Sequence, residues 1–230
     1  MSAILKTENL KKDFLMGKIK VPALRGVNIE IERGSFTAVM GASGSGKTTL
    51  LNMVGLLDAP SSGKVYVDGM DTSNLNGTHK AEMRLEKLGF VFQFFNLFLE
   101  LTALENVMIP LMLARRDDVE KRAKELLKLV DLADRMDHKP SELSGGQQQR
   151  VTIARSLVNE PVILLADEPT ANLDSKTAVE VVELFRKLNR ETGVTVFMVT
   201  HEEELGRMAD SIVWLRDGLI ENIENINKIN

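Results

Sequence analysis

The chain has 230 residues, with 29 Lys plus Arg against 33 Asp plus Glu, a formal charge of −4 with His neutral. Its 43% apolar and 27% charged residues are ordinary for a globular protein and exclude collagen-like, disordered and disulfide-stapled chains. A net negative charge offers no overall attraction for phosphate backbones, so no nucleic-acid partner is expected; the absence of cysteine removes disulfides, thiolate metal sites and a cysteine nucleophile.

The opening stretch MSAILKTENLKKDF has scattered lysines and no apolar block long enough for a secretory signal. Residues Ile4 to Leu10, Val27 to Ile31 and Val65 to Val67 read as short strands separated by turns such as Asp68-Gly69, forming a small antiparallel sheet. Phe36 to Met40 is a compact apolar strand that runs into a Gly-Ser loop, and Leu50 to Leu57 follows as an apolar helical run. A membrane-spanning helix needs about 20 consecutive apolar residues; this run and Val107 to Ala114 are far shorter, so a cytosolic chain without direct membrane insertion is expected. Leu88 to Phe92, Val162 to Ala166, Val194 to Val199 and Ile212 to Leu215 are further buried strands. Their alternation with helical stretches predicts an α/β fold with a mainly parallel sheet covered by helices.

Between Thr102 and Leu157 the pattern is helical, which places a helical lobe at about residues 94–158, inserted between two core strands. Val119, Ala123, Leu126, Leu127 and Val130 fall on one helical face, as do Ala178, Val181, Val182, Phe185 and Leu188, and both stripes read as core-facing. The tail from Glu221 to Asn230 alternates Ile with Asn and Glu and is too short for a domain.

Gly41-Ala42-Ser43-Gly44-Ser45-Gly46-Lys47-Thr48 fits the phosphate-loop pattern G-x-x-x-x-G-K-[ST], after a strand and before a helix. In such a loop Gly41, Ser43, Gly44, Ser45 and Gly46 let backbone N–H groups turn around phosphates, Lys47 adds a point charge, and Thr49 enters the helix whose N-terminus is partly positive. The Thr48 hydroxyl can hold Mg²⁺. Such a site needs a carboxylate at the end of a neighbouring strand, and Val162 to Ala166 runs directly into Asp167 and Glu168. Asp167 would bind Mg²⁺, while Glu168 would act as general base toward the attacking water.

Leu143-Ser144-Gly145-Gly146-Gln147-Gln148-Gln149-Arg150 resembles the signature of the ATP-binding-cassette (ABC) ATPases. Physically, Ser144 is a good N-cap, Gly145 and Gly146 permit close backbone approach, and the helix behind them aims its positive end at an anion. Other positions match that family in order. Phe14 stands where an aromatic stacks on adenine, although Phe14 as a core residue is the alternative. Gln93, after a strand, is similar to the glutamine that approaches Mg²⁺ and the water. Asp174, in Pro169-Thr170-Ala171-Asn172-Leu173-Asp174, is similar to the aspartate that links the two sites of a dimer, and His201 to the histidine that bonds the γ-phosphate.

The resemblance spans about Ile4 to Glu221 and implies one cassette over residues 1–230 with a P-loop NTPase core, an antiparallel β lobe and a helical lobe. It implies ATP and Mg²⁺ as ligands, and a head-to-tail homodimer in which the phosphate loop of one copy faces Ser144, Gly145 and Gly146 of the other. It also implies an integral membrane transporter subunit as partner, with this chain peripheral on the cytoplasmic face. Two departures are Glu202, where many relatives have Asp, and Ala42, where Pro is frequent; neither supplies an essential functional group.

Phe90, Phe92, Phe94, Phe95 and Phe98 crowd around Gln93. In the family this segment borders the groove for a helix of the membrane partner, so exposed aromatics there suit docking, with ordinary packing as the alternative. The stretch from His138 to Ser144 and the Gln-Gln-Gln-Arg ending look most like the lipoprotein-release and macrolide-export group. The expected function is an ATP-hydrolysing transporter subunit. A regulatory or scaffold ATPase of the cell-division type is the rival. A DNA- or ribosome-acting cassette is disfavoured, because Lys47 and Ser144 are too close in sequence for a long coiled coil and only one phosphate loop is present.

Overall fold

A computed structural model describes residues 3–226. Two sheets organise them. The first is antiparallel, in the order β2 (Ile19–Glu32), β1 (Ala3–Met16), β4 (Ser62–Val67), β5 (Met70–Asp71). The second runs β10 (Leu219–Asn225), β9 (Ser211–Arg216), β3 (Phe36–Met40), β8 (Thr195–Val199), β7 (Ile163–Asp167), β6 (Leu88–Phe92); all its pairings are parallel except that of β10 with β9.

A parallel sheet is stable when both faces are covered, which demands near-continuous apolar strands. Side chains alternate across the pleat, so Ala38, Met40, Leu164, Ala166, Val196 and Met198 enter one core with the helical lobe. Val39, Ile163, Leu165, Phe197 and Val199 enter a second core with the antiparallel sheet and helix α1 (Lys47–Val54). Helix α2 (Gly77–Lys87) has no fully buried residue and touches the second core through Met83.

Between β6 and β7 the chain is helical: α3 (Ala103–Leu113), α4 (Val119–Leu129), a 3₁₀ turn (Pro140–Glu142) and α5 (Gly145–Leu157). Its pattern is written in capping chemistry. Thr102 and Glu105 form a reciprocal capping box at the start of α3, and Ser144 with Gln147 forms another at α5, each satisfying two otherwise orphaned donors. The apolar stripe of α6 (Ser175–Thr192) packs on the sheet through Val181, Phe185 and Leu188. Helix α7 (Glu203–Gly206) is a single turn after β8.

The first hairpin is longer than the sequence pattern predicts. Strand expectations at Ile4 to Leu10 and Val27 to Ile31 followed buried alternation, but the pairing continues through Lys12↔Leu24, Phe14↔Val21 and Met16↔Ile19, where Leu15, Met16 and Ile19 are solvent-exposed. Backbone pairing carries this arm without a core beneath it, so periodicity could not register it. Val162 and Val194 lie just outside β7 and β8, whereas β9 extends one residue beyond Ile212 to Leu215 at each end. Strands β5 and β10 were not foreseen; β10 takes in Glu221 to Asn225 of the tail, while residues 227–230 lie outside the described residues.

The link from β6 to α3 is held by one wholly buried side chain. The Asn106 carbonyl accepts from Phe98 N at 2.8 Å, and its amide nitrogen faces the carbonyls of Phe98, Leu101 and Thr102 at 2.9–3.1 Å. Truncation strands these groups, each costing about 1–3 kcal/mol when buried and unpaired. Asn106→Ala is therefore expected to lower the thermal midpoint by several degrees, at about 2–4 °C per kcal/mol for a chain of this size; a midpoint equal to wild type in calorimetry would show that the link is held otherwise.

Candidate active site

Parallel strands present their C-terminal ends along one edge, and in open α/β sheets ligands bind there. On this edge the neighbours β3, β8, β7 and β6 end in turn at the phosphate loop, at Thr200 and His201, at Asp167 and Glu168, and at Gln93. Residues far apart in sequence thus meet because of strand order alone.

The loop between β3 and α1 folds around its own lysine. Lys47 is almost fully buried, and its Nζ donates to Gly41 O at 2.9 Å and Ala42 O at 3.1 Å. Gly46 stands at the N-cap of α1 in the left-handed region, a conformation glycine adopts without penalty. From outside, Gly218 N donates to Ser45 O at 3.0 Å and braces the loop. A triphosphate fits what remains. Ser45 Oγ is buried without a hydrogen-bond partner, and a side chain at Gly44 would project into open space. An unmet hydroxyl, a short-tethered ammonium and a helix N-terminus form an anion cradle. Thr49 lies half-buried in the first turn of α1, and Ser43 is exposed.

Beside the cradle, Thr48 Oγ1 donates to Asp167 Oδ1 at 3.0 Å. Burial pushes the Asp167 carboxyl above the usual aspartate range; the Thr48 bond and the Lys47 charge pull it down, and the adjacent Glu168 adds to the rise. A cation beside Asp167 would relieve that penalty. Among the described residues no group of three or more His, Cys, Asp or Glu converges on a metal position. Mg²⁺ fits such a sparse donor set, because it keeps water and phosphate oxygens in its shell rather than needing a protein cage.

Next along the chain, Glu168 takes a left-handed backbone, φ 47°, costly for a residue with a Cβ. Its N–H bonds Val199 O at 3.0 Å, and its Oε2 lies 2.7 Å from His201 Nδ1. Glu168 is largely buried whereas His201 is mostly exposed, so the pair faces outward from a sheltered carboxylate. A carboxylate fixed by an imidazole is arranged to accept a proton from water.

The remaining expected positions divide. Gln93 follows β6, and its carbonyl accepts from Asn172 Nδ2 at 2.8 Å. Phe14 is not core: it is 43% exposed on the hairpin arm, with Lys12 Nζ 5.2 Å from its ring centroid. Asp174 caps α6, accepting from Thr177 N at 3.1 Å and Thr177 Oγ1 at 2.6 Å. Ser144 caps α5, accepting from Gln147 N at 3.3 Å. The two glycines after Ser144 have a packing reason as well as one of access. A Cβ on Gly146 would stand 2.5 Å from Thr177 Cγ2, and one on Gly145 3.3 Å from Leu173 Cδ2.

The phenylalanines also split. Phe90 and Phe92 stack at 5.8 Å, and Phe95 lies against the start of α5 with its carbonyl held by the half-buried Arg155. Phe94, Phe98 and Leu99 remain exposed, at 69%, 57% and 67%.

Two contributors escaped the sequence reading. Wholly buried Gln149 donates from Nε2 to Pro169 O at 2.7 Å, tying α5 to the loop after Glu168. Its signal was a polar residue on the helix face shared by Gly146 and Ile153, where apolar packing is expected. Asn172 carried no such signal, since its partner is a backbone carbonyl 79 residues away.

The family description "ABC transporter" matches residues 24–171. An uncharacterized ABC transporter ATP-binding protein of Thermotoga maritima is 50% identical over 97% of this chain and 96% of its own. The lipoprotein-releasing system ATP-binding protein LolD of Porphyromonas gingivalis is 48% identical over 94% and 98%. Among solved structures, the dimeric ATP-binding cassette MJ0796 in a post-hydrolysis state with ADP and Pi superposes with a TM-score of 0.90 at 46% identity, covering 98% of this chain and all of that one.

A methyl group at Gly41 would stand 2.1 Å from Leu215 O and 2.7 Å from Ser45 Oγ. Gly41→Ala is therefore expected to displace the loop and weaken ATP binding by about tenfold or more, the scale of one lost charge-assisted contact, with circular dichroism unchanged. Wild-type affinity in calorimetric titration would count against the cradle.

Proposed function

This chain belongs to the ABC transporter family, and from that premise we propose that it is the ATP-binding and ATP-hydrolysing subunit that drives a membrane partner, of the lipoprotein-release or exporter type. One observation carries the reading: the Thr48–Asp167 pair and the His201–Glu168 pair stand at the ends of neighbouring strands beside Lys47. The 48% identity to a lipoprotein-releasing ATP-binding protein supports the subgroup.

Each residue then has a task. Lys47, now bonded to its own loop carbonyls, turns its ammonium to the β- and γ-phosphate oxygens of the ATP substrate. Thr48 and Asp167 would hold Mg²⁺, which supplies charge neutralisation on those oxygens. Gln93 borders the same space. Glu168 Oε2 takes a proton from the attacking water, and His201 holds that carboxylate in place and reaches the γ-phosphate. Phe14 offers an exposed ring face to the adenine.

Donors opposite the γ-phosphate come from a second copy. Ser144, Gly145 and Gly146 stand at the N-terminus of α5 on the helical lobe, and the related cassette MJ0796 is dimeric with ADP and Pi. Each charge-assisted hydrogen bond contributes roughly 1.5–3 kcal/mol, so losing several together on hydrolysis suffices to open the interface. Asp174 lies on the segment that follows Glu168, where its α6 cap sets the loop linking the two sites. The described residues act as one cassette, with the lobe at about residues 94–158 carrying the donor edge. No described helix is long and apolar enough to cross a membrane; exposed Phe94, Phe98 and Leu99 form the apolar contact for the membrane subunit, and we place the chain on the cytoplasmic face.

Glu168→Gln keeps the shape and removes the base. Phosphate release is expected to fall on the order of a hundredfold or more while ATP still binds and a dimer accumulates; near-normal turnover would remove Glu168 from that role. Ser144→Arg, introduced into the Glu168→Gln chain, is expected to abolish the ATP-dependent dimer on sizing chromatography and to leave monomer affinity within about threefold. A dimer peak that survives would refute the contact across copies.

A further inference from the structure

Glu168 is held by more than His201. We infer that Glu202 and Thr170 form a positioning pair that fixes the backbone turn carrying the general base; this rests on the reading of Glu168 given above.

Glu202 occupies the N-cap position of α7, where a carboxylate ordinarily accepts from the first free N–H groups of the helix. It does not cap. Its Oε1 instead accepts from Thr170 Oγ1 at 3.1 Å, across 32 residues of sequence. The partner hydroxyl belongs to a side chain only 2% exposed. Glu202 is itself fixed at its root, because its N–H bonds the Oγ1 of wholly buried Thr200 at 3.1 Å.

The bond joins the same two loops as the His201–Glu168 contact, one residue further along in one loop and two in the other. Between them lies Pro169, whose carbonyl is taken by Gln149 Nε2 at 2.7 Å. The turn is thus gripped from α5 on one side and from the loop after β8 on the other. That grip has a purpose at Glu168, whose left-handed backbone persists only where the surroundings over-determine it. Releasing Thr170 from Glu202 leaves that side of the turn held only at Glu168 itself, by Val199 O and His201, and lets the carboxylate drift, while the phosphate loop, built on β3 and α1, is untouched. Glu202, noted in the sequence only as a departure without consequence, thereby acquires a role in setting the base.

Steady-state phosphate release by the purified chain tests the pair. Thr170→Val and Glu202→Ala are each expected to lower kcat about tenfold with KM for ATP within about twofold of wild type. Glu202→Gln keeps an acceptor of the same reach and is expected within about twofold of wild type, whereas Glu202→Asp, shorter by about 1.5 Å, behaves as Glu202→Ala. The double variant Thr170→Val/Glu202→Ala is expected to lose no more than either single change. Should Thr170→Val fail to fold by circular dichroism, the Glu202 series decides alone. Unchanged kcat in an active background, additive losses, or a Glu202→Gln as impaired as Glu202→Ala would overturn the pair. A wild-type chain that releases no phosphate would instead overturn the ATPase reading, and the positioning pair with it.

Discussion

Two carboxylates leave strand β7 side by side, and the arrangement of the catalytic edge follows from keeping them apart. Burial pushes the Asp167 carboxyl above the usual aspartate range, and the adjacent Glu168 charge adds to that rise. The backbone resolves this by turning through the left-handed region at Glu168. Asp167 then faces Thr48 and the phosphate loop, and Glu168 faces His201. One acid thereby stands beside the phosphate loop and the other beside an imidazole.

Such a turn is unfavourable by itself, so the surrounding structure must hold it. The grip is built from polar groups that reach across elements: buried Gln149 from α5 and half-buried Glu202 from the start of α7. Hydrogen bonds sheltered from water in this way are costly when half made and rigid when complete. The Gln149 bond also connects the loop after Glu168 to α5, the helix capped by Ser144. Asn172 adds a link from the same loop to Gln93. A change at the N-terminal end of α5 therefore has a short route through Gln149 and Pro169 to the loop carrying Glu168.

Half a site explains the rest of the architecture. Lys47, Thr48, Asp167, Glu168 and His201 gather on one edge of one sheet, while Ser144 stands on the inserted lobe and is engaged with its own helix. A phosphate cradle open on one side binds substrate without completing the reaction geometry, and preorganised donors aimed at developing charge contribute most to such catalysis. On the function proposed above, association of two copies is the step that would finish the site and make the binding energy of a few hydrogen bonds available for work on a partner.

Local chemistry wrote much of this molecule into its sequence. The phosphate loop, the acids after β7, the cap at Ser144 and the apolar strands were legible because each depends on neighbours within a few residues: a glycine run, an N-cap, a period of two or 3.6. The long arm of the first hairpin was not legible, since it is held by cross-strand backbone bonds that leave Leu15 and Ile19 in solvent. Nor was the second reason for Gly146, the close approach of Thr177, or the reach of Glu202 to Thr170. Those contacts join segments distant along the chain, and only the order of strands in the sheet and the packing of α5 on α6 bring them within hydrogen-bond or van der Waals range. The sequence by itself determined which groups could do chemistry; the tertiary structure decided which of them hold the others still, because that depends on distances no local pattern encodes.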